Sequence, residues 1–237
     1  MTPNKRTASI AGLLYLIVVM TGIFYLMYVP SKLIVWNNAP ATFKNITDSE
    51  FLFRLGIFSG LICYVAFLFL PLVLYKLFKP VNKVYAVLMV AFALVSVPMA
   101  FINFGNEFSV LTLISKAEYL KAFEIDQLQA QVLLYLHYYN NGNQIISIFS
   151  GLWLFPLGYL IFKSGLLPKI LGIFLMIGCF GYLIDFFAGL LFPGYNEMEI
   201  SNYVILPASL GEIGTCLWLL IMGAKNYKQT LNSTHEK

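Results

Sequence analysis

Charge is scarce in this chain. Only 11% of its 237 residues are Asp, Glu, Lys or Arg, against roughly 25% in an average soluble domain, and this deficit argues against a water-soluble fold. No P-loop, GxSxG, HExxH or strand-borne GxGxxG occurs, so nucleotide-driven transport and the commoner soluble enzyme mechanisms lose their sequence support. Histidine is limited to His137 and His235, which leaves no multi-histidine metal site inside a membrane; neither a metal nor a cofactor is expected. The three cysteines, Cys63, Cys179 and Cys216, lie in apolar runs with no CxxC spacing, the setting in which a thiol acts as a small buried hydrophobe and not as part of a disulfide framework. A small-residue cleavage pattern is also missing after the basic Lys5-Arg6 start, so the first apolar run is read as an uncleaved span and not as a signal peptide. The net charge of +4 comes from 15 Lys and Arg spread thinly along the chain; nucleic acid is not an expected partner, whereas the lipid bilayer is.

Apolar residues are abundant: 59% of the chain is hydrophobic and the mean hydropathy is +0.78. Lipid cannot satisfy backbone polar groups, so each long apolar run must be helical. Six such runs predict an all-α, six-helix transmembrane bundle forming one membrane domain over residues 1–237. They cover about Ser9 to Val29 (ended by Pro30), Leu52 to Tyr75, Val84 to Phe104, Gln144 to Phe162, Ile170 to Phe192 and Val204 to Met222, followed by a polar tail over 224–237.

The connections set the orientation. Lys5, Arg6, Lys76, Lys79, Lys83, Lys163, Lys169, Lys225, Lys228 and Lys237 fall on one side, and Lys32, Lys44, Arg54, Lys116 and Lys121 on the other. The positive-inside rule then places both termini in the cytoplasm. Most acids, Asp48, Glu50, Glu107, Glu118, Glu124, Asp126, Glu197 and Glu199, lie on the opposite side. Between the third and fourth spans, Leu128, Val132, Tyr135, Leu136 and Tyr139 recur at helical spacing, which predicts an extra amphipathic helix at the outer surface. The run Asn140-Asn141-Gly142-Asn143 is expected to break or kink the chain before the fourth span.

Two acids cannot be moved out of the membrane by shifting a boundary: Asp185 and Glu212. Such a residue costs on the order of 3 kcal/mol at the bilayer centre, and it faces protein or a cavity. Asp185 lies seven residues before the outer end of its span and Glu212 eight after the outer start of its own, which puts both about 10 to 12 Å below the boundary. Gly178, Gly181, Asp185, Ala188 and Gly189 form one stripe of small residues, a surface suited to close packing on a neighbouring helix. Ser96, Ala100, Asn103 and Glu107 form a second polar-lined stripe on the third span, and His137 lies further out. Asn103, Glu107, His137, Asp185 and Glu212 are therefore the candidate ligand-binding residues of an outward-opening polar funnel. Asp185 and Glu212 equally admit a structural reading as neutral, hydrogen-bonded packing groups, and Asn103 one as interhelical glue.

Several stretches together carry a resemblance. Ala8-Ser-Ile-Ala-Gly-Leu-Leu-Tyr-Leu16, Tyr28-Val-Pro-Ser-Lys-Leu-Ile34, Leu52-Phe-Arg-Leu-Gly56, Lys79-Pro-Val-Asn82, Ser164-Gly-Leu-Leu-Pro-Lys-Ile-Leu-Gly172, Gly181-Tyr-Leu-Ile-Asp185, Pro193-Gly-Tyr195, Leu206-Pro-Ala208 and Gly211-Glu212 occur in order along nearly the whole chain. In this the chain resembles a bacterial family of polytopic membrane proteins, domain of unknown function 4386. The resemblance implies a multi-pass protein of a bacterial plasma membrane and carries no activity or catalytic residues. Three functions fit the residues: binding or transport of a cation, proton or small polar solute; an intramembrane enzyme using paired carboxylates; and an accessory or sensory protein acting through protein partners of unknown identity. The first is the reading best matched by two inward acids at one depth.

Overall fold

The computed structural model describes residues 3–195 and 198–224, and among these every regular element is helical. In chain order they are α1 (Pro3–Ile23), a π-helical turn (Phe24–Tyr28), α2 (Val29–Leu33), α3 (Ala39–Asp48), α4 (Glu50–Phe78) and α5 (Lys83–Ile114). A 3-10 turn (Glu118–Ala122) leads into α6 (Ile125–Leu152), α7 (Leu154–Ser164), α8 (Lys169–Leu191), α9 (Glu199–Val204) and α10 (Leu206–Ile221). Six helical stretches are long and apolar enough to cross a membrane, as the six apolar runs predict. Glu197 and the tail beyond residue 224 lie outside the described residues.

Four boundaries differ from expectation, each for a local reason. Pro30 does not end the first span: the helix passes through it to Leu33. Proline lacks an N–H and its ring presses on the carbonyl four residues back, and the widened turn just before it, in which the Val29 N–H bonds the Phe24 carbonyl, opens the ladder at that point. The segment after it is no plain connection, because α3 forms behind an Asn38 cap whose side chain accepts from the Ala41 N–H at 2.9 Å. The third span runs ten residues beyond Phe104 to Ile114. Asn140 to Asn143 do not break the chain either; they lie inside α6. The helix expected between spans three and four is thus the first half of α6, continuous with the fourth span, and its Val132, Leu136 and Tyr139 are buried. The local irregularity falls at Trp153, three residues before Pro156, where the proline removes one bond of the ladder; Trp153 keeps helical dihedrals and its N–H still bonds the Phe149 carbonyl at 3.1 Å.

The chain forms two compact units. The first takes the residues up to Ile17, Ala66–Val97 and those from Ile145 on. Its helices pack through glycine. A Cβ added at Gly178 would come within 2.5 Å of the Ala208 Cα, and one at Gly158 within 2.6 Å of the Gly172 carbonyl oxygen. Gly12 likewise gives α1 contact with the backbone of α10, at 2.6 Å from the Leu220 nitrogen. The small-residue stripe on α8 therefore meets α9 and α10, as its spacing predicts: Gly178 faces Ala208 and Gly181 faces Val204. Trp153, 1% exposed, fills the interior against Tyr15 and Phe67.

The second unit comprises Val18–Val65 and Pro98–Gln144. Its core is aromatic at the centre, with Tyr25, Tyr64, Phe104 and Tyr139 rings in mutual tilted or edge contacts 5.6 to 6.3 Å apart. Gly60 lets Phe104 approach α4, and Gly56 seats Val29, so the GxxxG spacing of these two glycines is a helix contact.

Replacing Gly178 by Leu is expected to lower the unfolding temperature of the detergent-purified protein by several degrees, because backbone atoms of α10 occupy the space. Gly105, whose added Cβ meets nothing within 4 Å, is the control: Gly105→Ala should leave the temperature unchanged or raise it, since alanine gains up to about 1 kcal/mol over glycine within a helix. Equal losses in the two variants would contradict the packing described.

Candidate functional site

The five candidate residues fall into two groups. Asn103, Glu107 and His137 belong to the second unit, and Asp185 and Glu212 to the first.

In the second unit, α5 and α6 meet through carboxamides. The Asn103 Nδ2 donates to the Tyr139 carbonyl at 2.9 Å and to the Asn143 Oδ1 at 3.1 Å. Asn106 Nδ2 in turn donates to the Asn103 Oδ1 at 3.1 Å. The contact needs a glycine on α6, since a Cβ at Gly142 would stand 2.0 Å from the Asn103 Oδ1. This explains why the run stays helical: weak helix propensity is overridden by a network to which Asn143 contributes its side chain and Gly142 the space. Asn103 itself is 8% exposed.

One turn along α5, Glu107 presents a carboxylate oxygen, Oε2, that is sealed from solvent and has no hydrogen-bond partner. The Tyr139 hydroxyl, also sealed and without a hydrogen bond of ordinary geometry, lies within electrostatic reach of that carboxylate and has Asn143 as a further polar neighbour. Buried polar groups are almost always paired. Glu107 is thus an acid sealed without a hydrogen-bond partner, within electrostatic reach of a buried tyrosine hydroxyl, and such burial is costly unless something compensates it. His137 is not among them: it is exposed, with its ring 5.1 Å from that of Trp36.

In the first unit the two acids have separate partners. Glu212 Oε1 accepts from the Tyr15 hydroxyl at 3.4 Å, across from α10 to α1, and Thr215, one turn on, has a buried hydroxyl with no hydrogen bond. Asp185, half-buried on α8, has the buried Tyr195 hydroxyl beside it, outside strict hydrogen-bonding geometry. Burial first, and the Asp185 carboxylate second, raise the Tyr195 hydroxyl above the ordinary tyrosine range. Asp185 and Glu212 share no hydrogen bond. Among the described residues no three His, Cys, Asp or Glu side chains come together as a metal site.

Tyr139, Asn143, Asn106, Tyr15 and Tyr195 complete these groups and are not singled out by sequence reasoning. The first two had a usable signal. The stripe Val132, Leu136, Tyr139 continues at the same spacing to Asn143, which the breaker reading of residues 140–143 conceals. Tyr15 follows Ala8 and Ala11 on a fully buried face of α1. Tyr195 sits in a connection and had no periodic signal.

Gly142→Ala should expel the Asn103 carboxamide and reproduce the destabilisation of Asn103→Ala, on the order of 1 to 3 kcal/mol for a buried polar group left unpaired. The double variant should then be hardly worse than either single one, because both remove one network. Additive losses in urea or thermal unfolding would disprove the shared contact.

A family model described as Domain of unknown function (DUF4386) matches residues 10–223. An uncharacterized protein of Archaeoglobus fulgidus is 44% identical over 78 residues, which cover 33% of this chain and 44% of the relative, so the match spans less than half of that protein's length. No solved structure matches the chain. With the family model covering almost the whole sequence, the chain belongs to the DUF4386 family, a domain of unknown function.

Proposed function

We propose that this multi-pass membrane protein binds, and by that binding moves or senses, a cation, proton or small polar solute at acids held within its spans. The observation that carries the reading is Glu107: an acid within the apolar stretch Lys83–Ile114 with one oxygen sealed and unpaired, within electrostatic reach of the buried Tyr139 hydroxyl and one turn from a fixed carboxamide network. Burying a carboxylate is costly unless something compensates it. Asn103 and its partners fix the walls of this locus. Within the first unit, Glu212 with Tyr15 and Asp185 beside Tyr195 are further acids set against hydroxyls.

The proposed orientation follows the basic residues. Both termini and the Lys79 and Lys163 connections face the cytoplasm, and the α5 to α6 connection, with Lys116 and Lys121, faces outward from a plasma membrane. Single cysteines replacing Asn82 and Glu118 in a background lacking Cys63, Cys179 and Cys216 should react with a membrane-impermeant maleimide from opposite sides of sealed vesicles. Labelling of both from one side would refute this topology.

The binding reading is tested by thermal unfolding of detergent-purified protein against a panel of alkali and alkaline-earth cations, protons and small polar metabolites. A solute that binds only the folded form raises its stability by about 2.7 kcal/mol at a hundred times its Kd. Glu107→Gln keeps the shape and removes the charge, so a stabilising solute should lose its effect in this variant. If the same shift persists in both Glu107→Gln and Glu212→Gln, or if nothing in the panel shifts the wild type, the reading is wrong.

A further inference from the structure

The second unit contains a cavity unrelated to the buried acids. Its volume is about 310 Å³, and its walls are Phe43 and Thr47 of α3, Leu113 and Ile114 at the end of α5, Leu120 and Phe123 of the connection, and Leu128 of α6. The wall is overwhelmingly apolar. Thr47, its one neutral hydroxyl, is turned away, donating to the Phe43 carbonyl at 2.8 Å.

Two cations stand at the rim, Lys116 and Lys121. Lys121 is matched by Glu118 at 2.7 Å, on the exposed side of the 3-10 turn. Lys116 makes no ion pair among the described residues, and its backbone is held at φ +58°, a left-handed conformation that is uncommon for a side chain of this size. Among the residues lining the cavity, Lys116 is therefore one cation without an acidic partner. Phe123 and Ile125 of the lining are 41% and 53% exposed.

An apolar pocket of this size with a cationic mouth is complementary to a molecule with a hydrocarbon body and an anionic end. A peptide segment would bring backbone N–H and C=O groups into walls that supply no partners for them. A neutral apolar solute would make no use of Lys116. A single alkyl chain has no such polar groups and suits a narrow slot between two helix ends and a short helix. We infer that this cavity is a binding site for the acyl chain of an anionic amphiphile, a fatty acid or an anionic phospholipid, with the carboxylate or phosphate held at Lys116 and Lys121.

The test is photolabelling of the full chain in phosphatidylcholine nanodiscs with dodecanoic acid bearing a diazirine near the chain end, followed by mass mapping of the labelled peptides. Label is expected to concentrate on residues 113–128 and to be displaced by excess dodecanoate or phosphatidylglycerol but not by dodecanol. Displacement by dodecanoate alone identifies a free fatty acid as the ligand; displacement by phosphatidylglycerol identifies a membrane lipid. Lys116→Glu with Lys121→Glu should weaken labelling about tenfold, since each lysine contributes on the order of 1 kcal/mol toward an anion and one of them is already paired. Ala117→Phe, which fills the cavity and leaves the charges in place, should abolish it. Label spread evenly over all apolar segments, equal displacement by dodecanol, or labelling unchanged in both variants with unaltered unfolding temperatures would overturn the inference. Because neither variant touches Glu107 or its network, failure here leaves the cation-binding reading standing.

Discussion

Hydrocarbon offers no hydrogen bonds, and nearly every feature of this protein follows from that one condition. A backbone that must satisfy itself can only be helical across the apolar stretches, so residues that would end a helix in water are accommodated instead. Pro30 is carried by a π turn that widens the ladder just ahead of it. At Pro156 the ladder loses one bond, and the helix carries on because Trp153 keeps helical dihedrals with its N–H on the Phe149 carbonyl and its own carbonyl on the Leu157 N–H. The Asn-Gly-Asn run persists as helix where Asn143 and the Tyr139 carbonyl just before it both accept from Asn103 of α5. In each case the local propensity for a break is outweighed by the cost of exposing N–H and C=O groups to lipid.

The same condition governs the side chains. Without a strong hydrophobic drive between helices, association depends on close packing, and glycine is what permits it. Gly178 and Gly181 bring α8 against Ala208 and Val204, Gly158 and Gly172 seat α7 on α8, and Gly142 admits Asn103. Polar groups drawn inside by this packing are mostly paired, which makes the exceptions informative. Glu107 Oε2 and the Thr215 hydroxyl remain unpaired, and the first lies within electrostatic reach of the buried Tyr139 hydroxyl. A membrane protein that keeps an acid in such a place sacrifices stability there, a cost that the proposed binding of a proton or cation would offset.

The acids were legible as residues but not as partners. Asp185 and Glu212 stand out in any hydropathy reading, and their matched depth suggests a pair. The structure gives Glu212 to Tyr15 and Asp185 to Tyr195, because sequence spacing specifies height along a helix but not its rotation relative to a neighbour. His137 was drawn into the candidate set by its position near the Asn-rich run, and it stands outside, against Trp36. Asn103 was found from its stripe on α5, whereas Asn143, its counterpart, was hidden because an Asn-Gly-Asn run carries the same letters whether it terminates a helix or lines its buried face.

By itself the sequence determined that the chain crosses a membrane, how many apolar helices it has and which glycine stripe packs, since these depend on transfer free energy and on period, both of which are properties of the order of residues. Where α6 runs unbroken, how Pro30 is tolerated, which hydroxyl meets which acid and where a cavity closes under α3 were decided only by the tertiary structure. Those outcomes depend on contacts between residues far apart in the chain, and a contact of that kind leaves no periodic trace in either of the segments that make it.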